Sequence, residues 1–186
     1  RLNKVLANTL TCNSIYLRQI MQQYAAGKSD DLAYRLARRN AHNADAALST
    51  TLANMLMEPG HFRKEADVGF RFLVLSHTLL SYLSGLGAHR ETQLPADVRE
   101  QLIDGAGVKL AASIDDIAQG LANKQPVAIQ SDEEEALANE LEQMPDEIDE
   151  GQRLVQTQLA LICRQLGPLR TLAAHLIKDT NEISAG

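Results

Sequence analysis

The chain has 186 residues, a length that favours a single domain. Aromatic residues are scarce while Ala and Leu are abundant, which favours closely packed helices over a sheet. Its formal net charge is −6, but residues 1–90 hold 11 Lys and Arg against 6 Asp and Glu, whereas residues 91–186 hold 7 against 18. This asymmetry indicates that the two halves attract each other or that one side of the protein faces an anionic surface. The positive charge of the first half is modest, and few aromatic residues lie between its basic residues, so a nucleic acid partner is not favoured.

Two cysteines, Cys12 and Cys163, lie far apart in sequence and within helical patterns. Two such residues are no disulfide framework, so we expect buried thiols in a reducing compartment. The sequence has no signal peptide and begins without methionine, and its apolar residues have helical periodicity from the start. We therefore expect a domain of a longer chain.

The first predicted helix has apolar residues at helical spacing from Leu2 to Tyr24. Gly27 is expected to end this helix, because glycine adopts the left-handed conformation that closes a helix at little cost. Ser29 or Asp30 can then cap the second helix.

The second helix should end before Pro59, since proline disfavours helical geometry in the preceding residue. The third helix, roughly residues 62–87, is the most apolar part of the chain. Arg71 and His77 interrupt it, so an apolar span of about 20 residues is missing and we interpret it as the central helix of a bundle. His77 is expected to be a hydrogen-bonded histidine of the core.

The fourth helix is predicted to begin at Pro95, a residue type that suits the first helical turn. Gly105 and Gly107 weaken this helix and indicate a close crossing or a kink. The stretch NKQPVAIQ that follows has the composition of a linker.

Ser131 and Glu134 have the spacing of a capping box, which predicts a short acidic helix that ends near Leu141. After a break, the last helix has a continuous apolar stripe, and Gly167–Pro168 is expected to kink it. The stripe consists of Val155, Leu159, Ile162, Leu166, Leu169, Leu172 and Leu176.

These patterns predict an all-α fold, an antiparallel helical bundle of five or six helices, with no strand. We expect residues 1–186 to form a single helical domain. Within it, residues 1–123 supply the main helices, residues 124–130 a linker, and residues 131–186 the acidic helix and the C-terminal helix.

The second helix separates into faces of different composition. One face is a stripe of mostly small residues that lets a neighbouring helix approach closely: Ala33, Ala37, Ala41, Ala44, Leu48, Leu52 and Met55. The opposite face carries the candidate anion- or partner-binding residues Arg35, Arg38, Arg39 and His42. This basic face is either simply solvated or a docking surface for an acidic segment, anionic lipid headgroups or a carboxylate ligand, and SDEEEALANELE is an internal candidate.

Three asparagines, Asn40, Asn43 and Asn54, lie on the flank between these two faces. If that flank is buried, their amides need hydrogen-bond partners on a neighbouring helix. We interpret them as candidate interhelical polar contacts that set the register of the bundle.

Catalysis and metal binding find little support in the sequence. His61 and Glu65, and His42 and Asp45, have spacings that metal sites in helical bundles use, but no matching second pair occurs. No nucleophile elbow, P-loop or Gly-rich dinucleotide turn is present. We therefore expect no enzyme, no catalytic residue, no metal and no cofactor.

Three stretches carry a resemblance to a known family: LTCNSIYLRQIMQQY, YRLARRNAHNADAALSTTLANMLMEPG and GFRFLVLSHTLLSYLSGLGAHR. Together they resemble the C-terminal soluble region of the YccS/YhfK group, with the YccS branch the nearer. These are bacterial inner-membrane proteins related to the fusaric-acid-resistance, or aromatic-acid-exporter, superfamily. The resemblance covers nearly the whole chain, and its most specific part is the Arg-, Asn- and Ala-rich helix that leads to Glu58 and Pro59.

The resemblance implies a domain on the cytoplasmic face of a bacterial inner membrane, with Arg1 shortly after a membrane helix of the same polypeptide. It implies a transporter-like efflux protein in which this domain serves assembly, docking or regulation, with membrane helices, anionic lipid headgroups or a second copy as partners. The alternative is a small-molecule-binding module for an anionic aromatic or organic acid. A metal-dependent or enzymatic role is the least favoured hypothesis.

Overall fold

The computed structural model describes residues 2–26, 32–58, 60 and 63–185. It is 87% helical, and no strand occurs within these ranges, so the predicted all-α bundle is confirmed. The elements are α1 (Leu2–Ala26), α2 (Leu32–Met57), α3 (Arg63–Ala88), α4 (Ala96–Arg99), a π-helical segment (Glu100–Gly107), α5 (Val108–Asn123), α6 (Asp132–Glu142) and α7 (Glu150–Ala185).

Some sequence predictions concern residues outside these ranges. The helix stop at Gly27, the caps at Ser29 or Asp30, the boundary residue Pro59 and the partner His61 of Glu65 all lie outside the described residues. The neighbouring described bounds agree with the predicted pattern, because α1 extends to Ala26 and α2 ends at Met57.

The first three helices pack together through close contacts at glycines of α3. The Leu52 side chain lies over Gly69 near one end of the α2–α3 pair, and the Tyr34 hydroxyl lies over Gly87 near the other, so these two helices run antiparallel. α1 also packs against α2 and α3. A side chain larger than hydrogen at Gly87 would collide with the Tyr34 hydroxyl, and this explains glycine at that position.

The fourth predicted helix is one continuous rod in which α4, the π-helical segment and α5 follow each other without a break. The backbone at Glu100 (φ −59°, ψ −45°) and at Val108 (φ −63°, ψ −42°) is right-handed helical at both junctions. At Gly107 the sulfur of Met21 occupies the place that a β-carbon would need. The predicted close crossing is therefore confirmed at Gly107, where α1 passes over the rod.

The capping prediction at Ser131 is confirmed in its first half. The Ser131 hydroxyl accepts a hydrogen bond from the Glu134 backbone N–H at 3.3 Å and so caps α6. The second half of a capping box would return the Glu134 carboxylate to the cap backbone, but that carboxylate binds Arg170 of α7 instead. α7 continues as a helix on both sides of Pro168.

The buried faces follow the predicted stripes with a few corrections. Ala33 is exposed and Tyr34 is buried in its place, because the core-facing side of α2 begins one residue later. The prediction that His77 lies in the core is wrong: its side chain is 64% exposed and contacts Asp45 of α2 at the surface. The small-residue stripe from Ala37 to Met55 is buried as expected.

Candidate functional site

The basic face predicted on α2 is solvent-exposed. Arg35, Arg38, Arg39 and His42 are all exposed, on the side of α2 that faces away from its buried stripe. The acidic helix α6 does not cover them, because α6 packs against α7. The internal docking candidate suggested by the charge asymmetry is therefore wrong for α2, and the basic face is exposed to solvent.

The three asparagines are also exposed. Asn40, Asn43 and Asn54 point to solvent, so the buried flank on which their predicted role depended is absent. Water satisfies amides in such positions, and no partner on another helix is required. Their interpretation as interhelical contacts that register the bundle is corrected accordingly.

Asp45 of α2 contacts α3 rather than the basic face. Its Oδ2 lies 2.9 Å from Nδ1 of His77, and this contact joins the two helices near their midpoints. The spacing of His42 and Asp45 was noted in the sequence without a metal site being predicted there, and no group of three or more His, Cys, Asp or Glu side chains among the described residues could hold a metal ion. Asp45 therefore contributes little negative charge to the exposed surface of α2.

The acidic helix α6 is held by two arginines of α7 that the sequence reading did not single out. Arg164 donates to Glu135 at 2.8 Å and also to Glu142, and its pKa is raised by these carboxylates. Arg170 binds Glu134, and both side chains are almost fully buried. Arg170 lies within the apolar stripe of α7. Because a buried charge needs a counter-ion, its position in that stripe is the sequence signal that could have predicted an acidic partner.

A groove of about 800 Å³ lies between α5, the 124–131 connection and α6. Its lining includes Lys109, Asp116, Glu133, Glu140 and the Glu134–Arg170 pair. Carboxylates outnumber cations there, and Arg170 is already engaged by Glu134 with Asp116 at 3.7 Å. The groove is thus lined mainly by carboxylates, and its buried cation, Arg170, is already bound to Glu134.

A smaller pocket of about 450 Å³ lies between the end of α1 and the connection from α3 to α4. Arg90 and Arg99 line it together with Tyr24 and Gln93. The Arg90 guanidinium stacks 4.4 Å from the ring centre of Tyr34, and its Nη1 donates to a backbone oxygen at 3.1 Å. Two guanidinium groups beside an aromatic wall suit the binding of a carboxylate, although Glu91 at the rim reduces the positive charge.

Tyr24 lines this pocket, and two further buried tyrosines, Tyr16 and Tyr34, have their hydroxyls beside Gly87 of α3. The Tyr24 hydroxyl donates to the Leu86 carbonyl at 2.7 Å, and burial raises the pKa of Tyr24. The rings of Tyr16 and Tyr34 lie 5.8 Å apart, and burial raises the pKa of Tyr16 to about 12. The phenols of Tyr16 and Tyr24 therefore remain protonated at neutral pH and act as packing and hydrogen-bonding groups.

The described helices define an all-α bundle with charged surfaces, and none of them is long and apolar enough to cross a bilayer. No family model and no solved structure matches the chain. Comparison with curated proteins identifies its class as a domain of a membrane protein. It is 34% identical, over 97% of its length, to the inner membrane protein YccS of Escherichia coli, and the chain is therefore a relative of YccS.

Two further relatives are proteins without an assigned function. An uncharacterized protein of Haemophilus influenzae is 39% identical over 70% of the chain, and the uncharacterized protein ORF2 of Neisseria gonorrhoeae is 33% identical over 46% of it. The chain spans only 19% to 24% of the length of these three relatives. The predicted resemblance is thus confirmed at the level of a YccS-like relative, and the homology supports an association with the inner membrane.

Proposed function

We propose that the chain is a cytoplasmic domain of an inner-membrane, transporter-like protein, in which it serves assembly, docking or regulation. The observation that carries this proposal is the alignment of 97% of the chain with a segment of an inner membrane protein. The superfamily of fusaric-acid-resistance and aromatic-acid-exporter proteins fits this relationship. The transport step itself then belongs to other parts of the polypeptide, and the bundle described above supplies a surface on which those parts act.

Two features of the chain support the cytoplasmic side. Cys12 and Cys163 are free thiols, as expected in a reducing compartment. The exposed basic residues of α2 suit a location beside the leaflet that carries anionic lipid. The basic residues are also consistent with the excess of Lys and Arg in cytoplasmic segments that adjoin membrane helices.

A topology assay tests this proposal in the full-length protein that contains the chain. A fluorescent reporter that matures only in the cytoplasm and a phosphatase active only in the periplasm are fused, separately, after residue 186. We expect fluorescence and no phosphatase activity. The opposite pair of results would reject the cytoplasmic placement.

A second candidate function is the binding of an anionic aromatic or organic acid, and the Arg90–Arg99 pocket is the observation that favours it. A small molecule needs a concave site, which this pocket offers and the exposed basic face of α2 does not. Arg99 lines the pocket without a described acidic partner at ion-pair distance, so Arg99→Gln is the informative change.

Calorimetric titration of the chain with a panel of aromatic acids tests this second candidate. We expect Arg99→Gln to abolish binding, while Lys178→Gln, an exposed charge loss elsewhere, preserves it. Retention of binding by Arg99→Gln together with its loss in an Arg35→Gln/Arg38→Gln/Arg39→Gln variant would instead place the ligand on α2. An unresponsive wild-type chain would remove this candidate.

A further inference from the structure

We propose that α2 lies flat on an anionic lipid surface through its outer face. This outer face is the fully exposed stripe of the helix, made of Leu32, Arg35, Leu36, Arg39, Asn43, Ala46, Thr50, Ala53 and Met57. It is flanked by the exposed cations Arg38 and His42. The inference extends the proposed function, since it names the partner of the surface and takes the nearby bilayer from the homology to an inner membrane protein.

The charged side chains on and beside the outer face are cations, and they lie in the first half of α2. Across 26 residues α2 contains a single carboxylate, Asp45, and that carboxylate is turned toward α3, where it contacts His77 at 2.9 Å. Arg38 and Arg39 therefore act on a surface to which α2 itself adds no exposed carboxylate. Each basic residue held near an anionic leaflet contributes roughly 1 kcal/mol of attraction, a factor of about 5 in affinity.

Exposed apolar side chains stand at both ends of the same surface. Leu32 is 63% and Leu36 is 47% exposed at the start of α2, and Met57 is 86% exposed at its end. Large apolar side chains that gather on one exposed helix are a feature of interaction surfaces. These apolar side chains lie beside arginines, whose long side chains let the guanidinium group reach lipid phosphates. Such a combination suits the boundary between headgroups and acyl chains.

The shape of the surface favours a bilayer over a peptide. A helix of 26 residues is about 39 Å long, and its outer face is a convex ridge. The groove beside α6 and the Arg90–Arg99 pocket are both formed by other elements. A plane that carries many anionic headgroups can contact such a ridge along its full length.

A second copy of the same face is a poor partner. In a twofold-symmetric interface each arginine cluster would oppose its own kind, which costs association energy. The acidic helix α6 is partly neutralised within the chain, because Arg164 and Arg170 hold Glu142, Glu135 and Glu134. α2 packs on α1 and α3 while α6 packs on α7, so lipid contact through α2 leaves the acidic helix on a different side of the bundle.

Vesicle co-sedimentation of the 186-residue chain tests the charge requirement. We expect binding to vesicles with about 30% phosphatidylglycerol, little binding to pure phosphatidylcholine, and weakening by added salt. The variant Arg35→Gln/Arg38→Gln/Arg39→Gln should bind roughly 100-fold more weakly. A matched control, Lys109→Gln/Lys124→Gln/Lys178→Gln, has the same net charge change at exposed sites away from α2 and should bind as the wild type does.

A fluorescence experiment tests the orientation, since the chain contains no tryptophan. Met57→Trp places a reporter on the outer face, and Ile129→Trp places one at a 60% exposed position beside the groove of α6. On addition of anionic vesicles we expect the emission of the first variant to shift to shorter wavelength and that of the second to stay unchanged. Far-ultraviolet circular dichroism of each variant checks that the bundle remains folded.

The outcomes separate the possible partners. Equal loss of binding in both charge variants, a blue shift at residue 129, or absence of binding to anionic vesicles would overturn the lipid proposal. Self-association of the wild type that the triple arginine variant abolishes would assign the face to a second copy, and would also overturn it. None of these results would alter the topology assay, so failure here is distinguishable from failure of the proposed function.

Discussion

Arg170 of α7 binds Glu134 of α6 in a buried, bidentate ion pair. The Arg170 Nε lies 2.9 Å from each carboxylate oxygen of Glu134, and the two side chains are only 6% and 11% exposed. The pair lies one turn inside the helix that Ser131 caps, so the acidic helix is fixed at its start both by its own cap and by α7. The acidic segment is thereby a packed element of the bundle.

Removal of one member of this pair should destabilise the chain strongly. Arg170→Met leaves the Glu134 carboxylate buried without its counter-ion, and we expect the free energy of unfolding to fall by about 3 kcal/mol. The double variant Glu134→Leu/Arg170→Met removes both charges and should recover to within about 1 kcal/mol of the wild type. Urea unfolding followed by circular dichroism measures both, and equal midpoints for the single and double variants would contradict the pair's role.

Glycine substitutions should separate a tight helix contact from an open position. Gly87→Ala places a β-carbon 2.5 Å from the Tyr34 hydroxyl, whose ring is held by Arg90, so we expect a loss of about 2 kcal/mol. No other part of the chain contacts the place of a β-carbon at Gly167, but Pro168 follows and disfavours helical geometry in a preceding residue that carries one. This effect opposes the higher helix propensity of Ala, so Gly167→Ala should stay within about 1 kcal/mol of the wild type. Thermal unfolding compares the two, and a loss in Gly167→Ala as large as that in Gly87→Ala would contradict the role of the Tyr34 contact.

The contact between Arg164 and Glu142 should make stability depend on pH. The hydrogen bond from Arg164 lowers the pKa of Glu142 below its ordinary value of 4.5. A carboxylate with a lowered folded-state pKa contributes stability above its unfolded pKa, and that contribution is lost as the pH falls through the folded pKa. We therefore expect the wild type to lose more stability than Arg164→Gln between about pH 6.5 and about pH 3.

Urea unfolding at a series of pH values measures this difference, and carboxyl NMR of Glu142 reports its pKa directly. Arg153→Gln, which removes a cation that donates to the carbonyl oxygens of Pro145 and Asp146, is the matched control and should keep the Glu142 titration unchanged. Parallel pH profiles for the wild type and Arg164→Gln would argue that this surface contact contributes nothing to folding.

The two cysteines should differ in reactivity. Burial raises the pKa of Cys163 to about 12, its side chain is almost inaccessible, and its Sγ donates to the Glu134 carbonyl at 3.2 Å. Cys12 is partly exposed, and burial raises its pKa as well. A disulfide reagent should therefore titrate one thiol slowly in the native chain and two after denaturation. Cys12→Ser should leave no native reactivity, and rapid reaction of Cys163 would contradict its burial.

Much of the fold was predictable because helical periodicity is local. The Ser131 cap of α6, the apolar stripes and the buried alanines of α2 depend on residues within a turn or two of each other, and the structure agrees with them apart from end effects such as Ala33. The basic face was found for the same reason, since Arg35, Arg38 and Arg39 share one side of one helix. The exposed asparagines were misjudged because the burial of a flank depends on which neighbour packs there.

The sequence by itself determined the helix class, the approximate helix bounds, the charge asymmetry and the resemblance to a membrane protein family. Only the tertiary structure decided which charges meet: Glu134 finds Arg170, Asp45 finds His77, and α2 keeps its arginines exposed. These pairings depend on how helices that are distant in sequence pack against each other. A shift of a few ångströms between two helices would bring different side chains into contact. The outer face of α2 is exposed because, among the described residues, α2 packs on α1 and α3 through its opposite side.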